Sequence, residues 1–325
     1  MRAMGRKVST ATSTLLSIYG KGWGQVRQPE RETRMQASLL DHYRMFSRFT
    51  SPGLYQERLQ RDLPDDIAES GRLVKQQIIH KMVLYLSREG VPMNPAYGDL
   101  SAVPWYRQSE DDYFPTVAAI LAELYRRDPR GFAPDRAQED KLILTCRYVA
   151  ILMAATFKSR GIPARARCGY APYIPSDRIE DHWVTQYWDA NANRWITIDA
   201  DACLEENGFD PFDMPPGTFT FAAGAWLGIR EGRQNADAYR IHGPTALDEI
   251  GAQVLADFHC LMNNEIPYTE YALFVAKDFD EAHQDKLREL DTFARLLQQP
   301  DENFSQLQSL WETQGEYRLL RGGLI

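Results

Sequence analysis

Apolar positions recur at helical spacing through the first 130 residues and again near the end of the chain. Strand-like patterning is confined to the middle. In residues 36–90, ASLLDHYRMFSRF sets Leu39, Tyr43 and Phe46 on one helical face, and SPG at 51–53 breaks the run. LVKQQIIHKMVLYLSREG (73–90) resumes the period with Leu73, Ile78, Met82 and Leu86, then stops at Gly90 and Pro92. A loop rich in Pro, Gly and aromatics follows over 91–112. FPTVAAILAELYRRDPRG then predicts another amphipathic helix, and Thr145–Arg160 a long apolar one closed by Gly161 and Pro163. ARARCGYAP (164–172) reads as a strand, YIPSDRIED as a polar loop, and His182–Ala190 as a second strand. Asn191-Ala192-Asn193 turns the chain into a third strand, Arg194–Asp199. GFDPFDMPPG (208–217) is an irregular connection, and the last ~70 residues return to amphipathic helices. A helix followed by antiparallel strands implies an α+β fold rather than alternating βαβ units.

Composition narrows the function classes. The 325 residues are 44% hydrophobic and 25% charged, an ordinary globular mix. No run of 18 apolar residues exists, so neither a spanning helix nor a membrane partner is expected. A net charge of −8 argues against nucleic acid as a partner, because phosphate backbones need cationic surfaces. Residues 1–35 differ from the rest: seven Lys/Arg stand against Glu30 and Glu32, so a basic N-terminal arm is expected there. Four cysteines without a CxxC pair make neither a disulfide framework nor a zinc finger. Reduced thiols and a cytoplasmic location are the simpler expectation. No nucleotide motif or EF-hand loop appears; Asp210-Pro-Phe-Asp213 lacks the ligand rhythm. No cofactor and no metal are therefore expected.

The candidate chemistry lies between 145 and 201. Thr145 is a good N-cap, which sets Cys146 in the first turn of its helix, where free N–H groups and the helix dipole favour thiolate over thiol. His182 opens a strand directly after a polar loop. A hairpin turning between Asn191 and Ala192 pairs Trp188 with Trp195, and puts Asp199 and Asp201 on the face of His182. Either carboxylate is placed to orient the imidazole. Cys146, His182 and Cys203 together as zinc ligands lack paired spacing. His80 and His259, on apolar helix faces, read as satisfied structural residues, and Cys168 as core.

TCRYVAILMAATFKSRGIPARARCGY followed by EDHWVTQYWDANANRWITIDAD resembles the transglutaminase-like superfamily of Cys-His-Asp enzymes. That resemblance implies a papain-like core, a nucleophile helix packed on an antiparallel sheet, with helical N- and C-terminal extensions. It implies Cys146 as nucleophile, His182 as base and then acid, and Asp199, closing the W-x-x-x-D strand from Trp195, as orienter in preference to Asp201. An upstream side chain often completes the oxyanion hole in this family; Trp105, Tyr106 and Gln108 are the candidates. The domains expected are a basic arm (1–35), a helical region (36–110), the catalytic core (111–205) and a C-terminal mostly helical region (206–325). The expected activity is cysteine-dependent acyl transfer on a peptide, amide or thioester carbonyl through an acyl-enzyme, with hydrolysis favoured. Acyl transfer to an amine, or a silent binding module, are the alternatives. For a carrier-bound thioester, Arg160, Arg165 and Arg167 are the candidate docking patch. The oligomeric state is left open.

Overall fold

The structure, a computed structural model, describes residues 28–276, 279 and 282–321, with only the backbone over 28–35. Most of the basic arm therefore lies outside the described residues. The chain divides into two units, 1–38 and 39–325, and the functional residues all lie in the second. In chain order the elements are α1 (Gln28–Arg44), α2 (Gln56–Asp62), α3 (Ile67–Gln76), β1 (Ile78–His80), α4 (Lys81–Arg88), α5 (Val117–Arg127), β2 (Leu142–Leu144), α6 (Cys146–Ser159), β3 (Ala164–Ala171), β4 (Glu180–Asp189), β5 (Arg194–Ile198) and β6 (Thr220–Phe221). Then follow α7 (Ala222–Arg230), α8 (Ala246–Leu261), α9 (Leu273–Ala276), α10 (Gln284–Leu297), α11 (Phe304–Thr313) and α12 (Gly315–Arg318). Among the described residues no helix is long and apolar enough to cross a membrane.

Helix α6 is buried at every position, as a sequence apolar on all sides requires. Gly161, at φ +75°, and Pro163 end it. It packs on β3 and β4, the centre of an antiparallel sheet in the order β5-β4-β3-β6. The hairpin register is the expected one: Trp188 pairs with Trp195 and Asp189 with Arg194, and Asn193 at φ 51° turns the chain. A mixed helix-and-sheet molecule with a nucleophile helix on an antiparallel sheet is thus an α+β fold with a papain-like core.

Two expectations fail. The periodic run 73–90 is not one helix. It breaks after Gln76 into β1, which pairs in parallel with β2, and restarts at Lys81. Ile78 and Ile79 are β-branched and both are buried against this unforeseen partner about sixty residues away. Met82, assigned to the apolar face, is 46% exposed as a result. The proposed basic patch also fails. Arg167 is buried in a bidentate pair with Asp257 of α8, at 2.7 Å on both arms. Arg165 is buried against Gln186 and Asp301. Arg160 donates to the carbonyls of Leu63 and Pro64. Two of these three arginines are core cations neutralised in place, so they offer nothing to an acidic partner.

Candidate active site

Strand β2 runs directly into α6, so the chain leaves an extended segment and Cys146 becomes the first helical residue. Thr145 holds the N-cap position, but its hydroxyl caps nothing. Its N–H (3.0 Å) and hydroxyl (3.4 Å) both donate to Asp111 Oδ1. The capping expectation is thus right in position and wrong in partner. The first N–H groups of α6, including that of Cys146, keep no intrahelical acceptor.

His182 is buried, and its Nε2 lies 2.8 Å from Asp199 Oδ2. That pairing leaves Nδ1 as the nitrogen that can serve Cys146, whose sulfur lies close enough to act on the ring's charge. Burial disfavours an imidazolium here, yet the Asp199 carboxylate and then the sulfur of Cys146 outweigh it, and the pKa of His182 rises well above its usual value. Asp199 is held from four sides. Its Oδ2 also accepts the Tyr173 hydroxyl at 2.6 Å, and its Oδ1 accepts the N–H groups of Asp201 and Ala202 at 3.0 and 3.1 Å. Its own N–H donates to Pro211 O at 2.7 Å, which takes the chain out of the β5 ladder before Asp201 can pair with His182. On its other side, toward β3, His182 pairs with Gly169.

Asp201 turns elsewhere, onto the buried ammonium of Lys75 from α3, with His80 Nε2 at 3.8 Å. Against the opposing effect of burial, Lys75 and then His80 hold its carboxyl well below the usual range. His80 itself stays neutral, lowered to about 4 by burial. The two carboxylates that sequence left as rivals are thus separated by partner: imidazole for Asp199, ammonium for Asp201.

The sulfur has an unexpected neighbour. Cys146 is 4% exposed, and Tyr268, from the segment after α8, puts its hydroxyl 2.8 Å from Sγ. Burial and the adjacent sulfur raise the Tyr268 hydroxyl well above its usual range, so the phenol keeps its proton. Arg147, fully buried beside Cys146, fixes that segment: its guanidinium donates to the carbonyls of Glu265 and of Ile266 (2.9 Å). Trp183 meets the Tyr268 ring edge-on at 5.8 Å.

The upstream candidates do not reach the site. Trp105 and Tyr106 are exposed and pack on each other, and Gln108 lines a cavity of about 260 Å³ with Lys81, Met82, Tyr85 and Arg88. Among the described residues none of the three is hydrogen-bonded to Cys146 or His182. Cys146, His182 and Cys203 do not form a ligand cluster either. Burial raises Cys168 and Cys260, and takes Cys203 to about 12, so all three remain thiols. Tyr173, Tyr268, Lys75 and Arg147 escaped the sequence reading: Lys75 and Tyr268 reach the site from remote segments, while Tyr173 and Arg147 lie near it in sequence with partners that only the fold reveals.

Comparison with known families matches residues 120–200 to the transglutaminase-like superfamily. No curated protein and no solved structure matches the chain. Residues 120–200 are thus a transglutaminase-like domain, running from α5 to the residue after Asp199. Its superfamily consists typically of cysteine-dependent acyltransferases and peptidases, with some inactive members.

Proposed function

We propose that the protein is a thiol acyl-transfer enzyme acting on amide or thioester carbonyls, with Cys146 as nucleophile, His182 as base and then acid, and Asp199 as orienting carboxylate. The observation that carries this reading is the buried His182–Asp199 hydrogen bond, at 2.8 Å, beside a sulfur at a helix N-terminus. His182 takes the thiol proton, and the thiolate attacks the carbonyl carbon. The C–S bond forms while the carbonyl π pair moves to oxygen, where the unpaired N–H of Cys146 receives the charge. The oxyanion collapses, the C–N or C–S bond to the leaving group breaks, and His182 protonates the departing amine or thiol. Water, deprotonated by His182, then attacks the thioester, and Cys146 leaves with the proton returned. Asp199 keeps Nε2 occupied throughout, so that Nδ1 does the transfers.

Water is the acceptor we favour, with an amine as the alternative. The burial of Arg165 and Arg167 weakens the case for a carrier-bound thioester, because the proposed docking cations are already paired.

Iodoacetamide labelling at pH 6, followed by peptide mapping, tests the triad. Cys146 is expected to label about 10²-fold or more faster than Cys168, Cys203 or Cys260, because only a thiolate attacks at that pH. Asp199→Ala should remove most of that preference. Asp201→Asn should keep it while lowering the melting temperature, since it strands a buried ammonium. Equally slow labelling of all four cysteines would identify a silent binding module. Intact-mass trapping of an acyl adduct from mixed amides and thioesters then names the substrate class.

A further inference from the structure

At the start of β4, on the residues just before His182, Glu180 and Asp181 meet His242, and one ligand atom from each lies within 4.8 Å of the others. His242 Nε2 is 3.8 Å from Asp181 Oδ1. Glu180 Oε1 is taken by Arg240 Nε at 3.3 Å and the Ser176 hydroxyl at 2.5 Å, which leaves Oε2 open. A third carboxylate stands beside them: Glu249 Oε2 accepts the N–H groups of His242 and Gly243. Three carboxylates are gathered here, and Arg240 serves Glu180 and Asp177.

A second observation points into the same cluster. Tyr170 sits directly across from Asp181 in the β3–β4 register, so the two side chains share a face. Tyr170 is fully buried, and its hydroxyl has no hydrogen-bond partner among the described residues. The charges that bear most on it are Asp181 and Glu249. An orphaned buried hydroxyl costs free energy unless something hydrated or charged completes the site.

We propose that Glu180, Asp181 and His242 bind a divalent transition cation, with Zn²⁺ the ion that fits the donor set best. One imidazole and two carboxylates favour zinc over calcium or magnesium, which take oxygen ligands alone. Ligands about 2.0–2.2 Å from a zinc ion lie roughly 3–4 Å from each other, so the observed spacing needs only small side-chain shifts. The ion supplies the missing positive charge, and a water on it gives the Tyr170 hydroxyl its partner. It also ties the segment around Arg240–Gly243 to the strand that carries the base. This assignment does not depend on the acyl-transfer reading.

The test uses the full-length protein with Cys146 first alkylated, so that its sulfur takes no metal. Zinc is titrated against a chromophoric chelator, and thermal melts are run alongside. One zinc per chain and a raised melting temperature are expected. His242→Ala, on a side chain 63% exposed and so harmless to folding, should weaken binding tenfold or more, as should Glu180→Gln. Calcium and magnesium in millimolar excess should not displace the zinc. Absence of binding to the alkylated protein, binding untouched by His242→Ala, or displacement by calcium would each overturn the assignment.

Discussion

Tyr268 and His182 both flank one sulfur. The Tyr268 phenol keeps its proton and lies 2.8 Å from Sγ, and in the proposed reaction the imidazole would exchange protons with the same atom. A carbonyl carbon approaching Sγ must displace the Tyr268 hydroxyl, because Cys146 is 4% exposed with that hydroxyl in place. A typical hydrogen bond is worth about 0.5–1.5 kcal/mol net. Tyr268→Phe is therefore expected to speed iodoacetamide labelling of Cys146 by up to roughly tenfold, reading that energy as lost protection. A slower rate in the variant would mean that the phenol activates the thiolate instead of covering it. Asp201 gives the complementary lesson. Strand alternation alone put it on the same face as Asp199, with only the family resemblance favouring Asp199, and the chain's exit from β5 at Pro211 O sends the one to His182 and the other to Lys75.

At the scale of elements, the β3–β4 pairing carries His182, and Gly169 is where it is most sensitive. A Cβ there would sit 2.2 Å from Thr220 O and 2.8 Å from Phe221 Cα, both backbone atoms of β6. Gly169 also pairs directly with His182. Gly169→Ala is expected to expel β6 or shift β3, and so to remove the fast labelling of Cys146 at pH 6 while most helical circular dichroism remains. Unchanged labelling would show that β6 yields without moving His182. The hairpin from β4 to β5 was legible because its register rests on local alternation and a turn sequence. Helix α6 was legible because its apolar run ends at Gly161 and Pro163. The β1–β2 pair was not, since a three-residue strand has no period of its own and its partner is remote. The side chains that finish the site were hidden for the same reason: Lys75 lies about seventy residues before Cys146 and Tyr268 more than a hundred after it.

For the whole molecule, buried histidines set the acid limit. His259 donates Nε2–H to Tyr317 O at 2.8 Å and accepts from Asn264 at 2.9 Å on Nδ1, so a second proton would break the Asn264 bond. Burial lowers His259 to about 4, as it does His80. A histidine lowered on folding lets the unfolded chain bind protons first, so its contribution is complete above about 6.5 and is lost as pH falls toward 4. Each such group accounts for about 3 kcal/mol at the acid end. His182, raised on folding, acts in the opposite sense: its contribution is full below about 6.5 and disappears as pH climbs past its folded value. Urea unfolding at pH 7, 5.5 and 4.5 should show stability dropping steadily, with a shallower slope in His259→Phe. An identical slope would mean that His259 is solvated in the folded state.

The clamp of Arg147 onto Glu265 and Ile266 bears on how the protein is born. During synthesis the sulfur leaves the ribosome well over a hundred residues ahead of the segment that covers it, and Arg147 emerges with no acceptor carbonyls to hold. A nascent chain at that stage presents an open thiol and an unsatisfied cation side by side, so only the finished polypeptide shields the Cys146 sulfur.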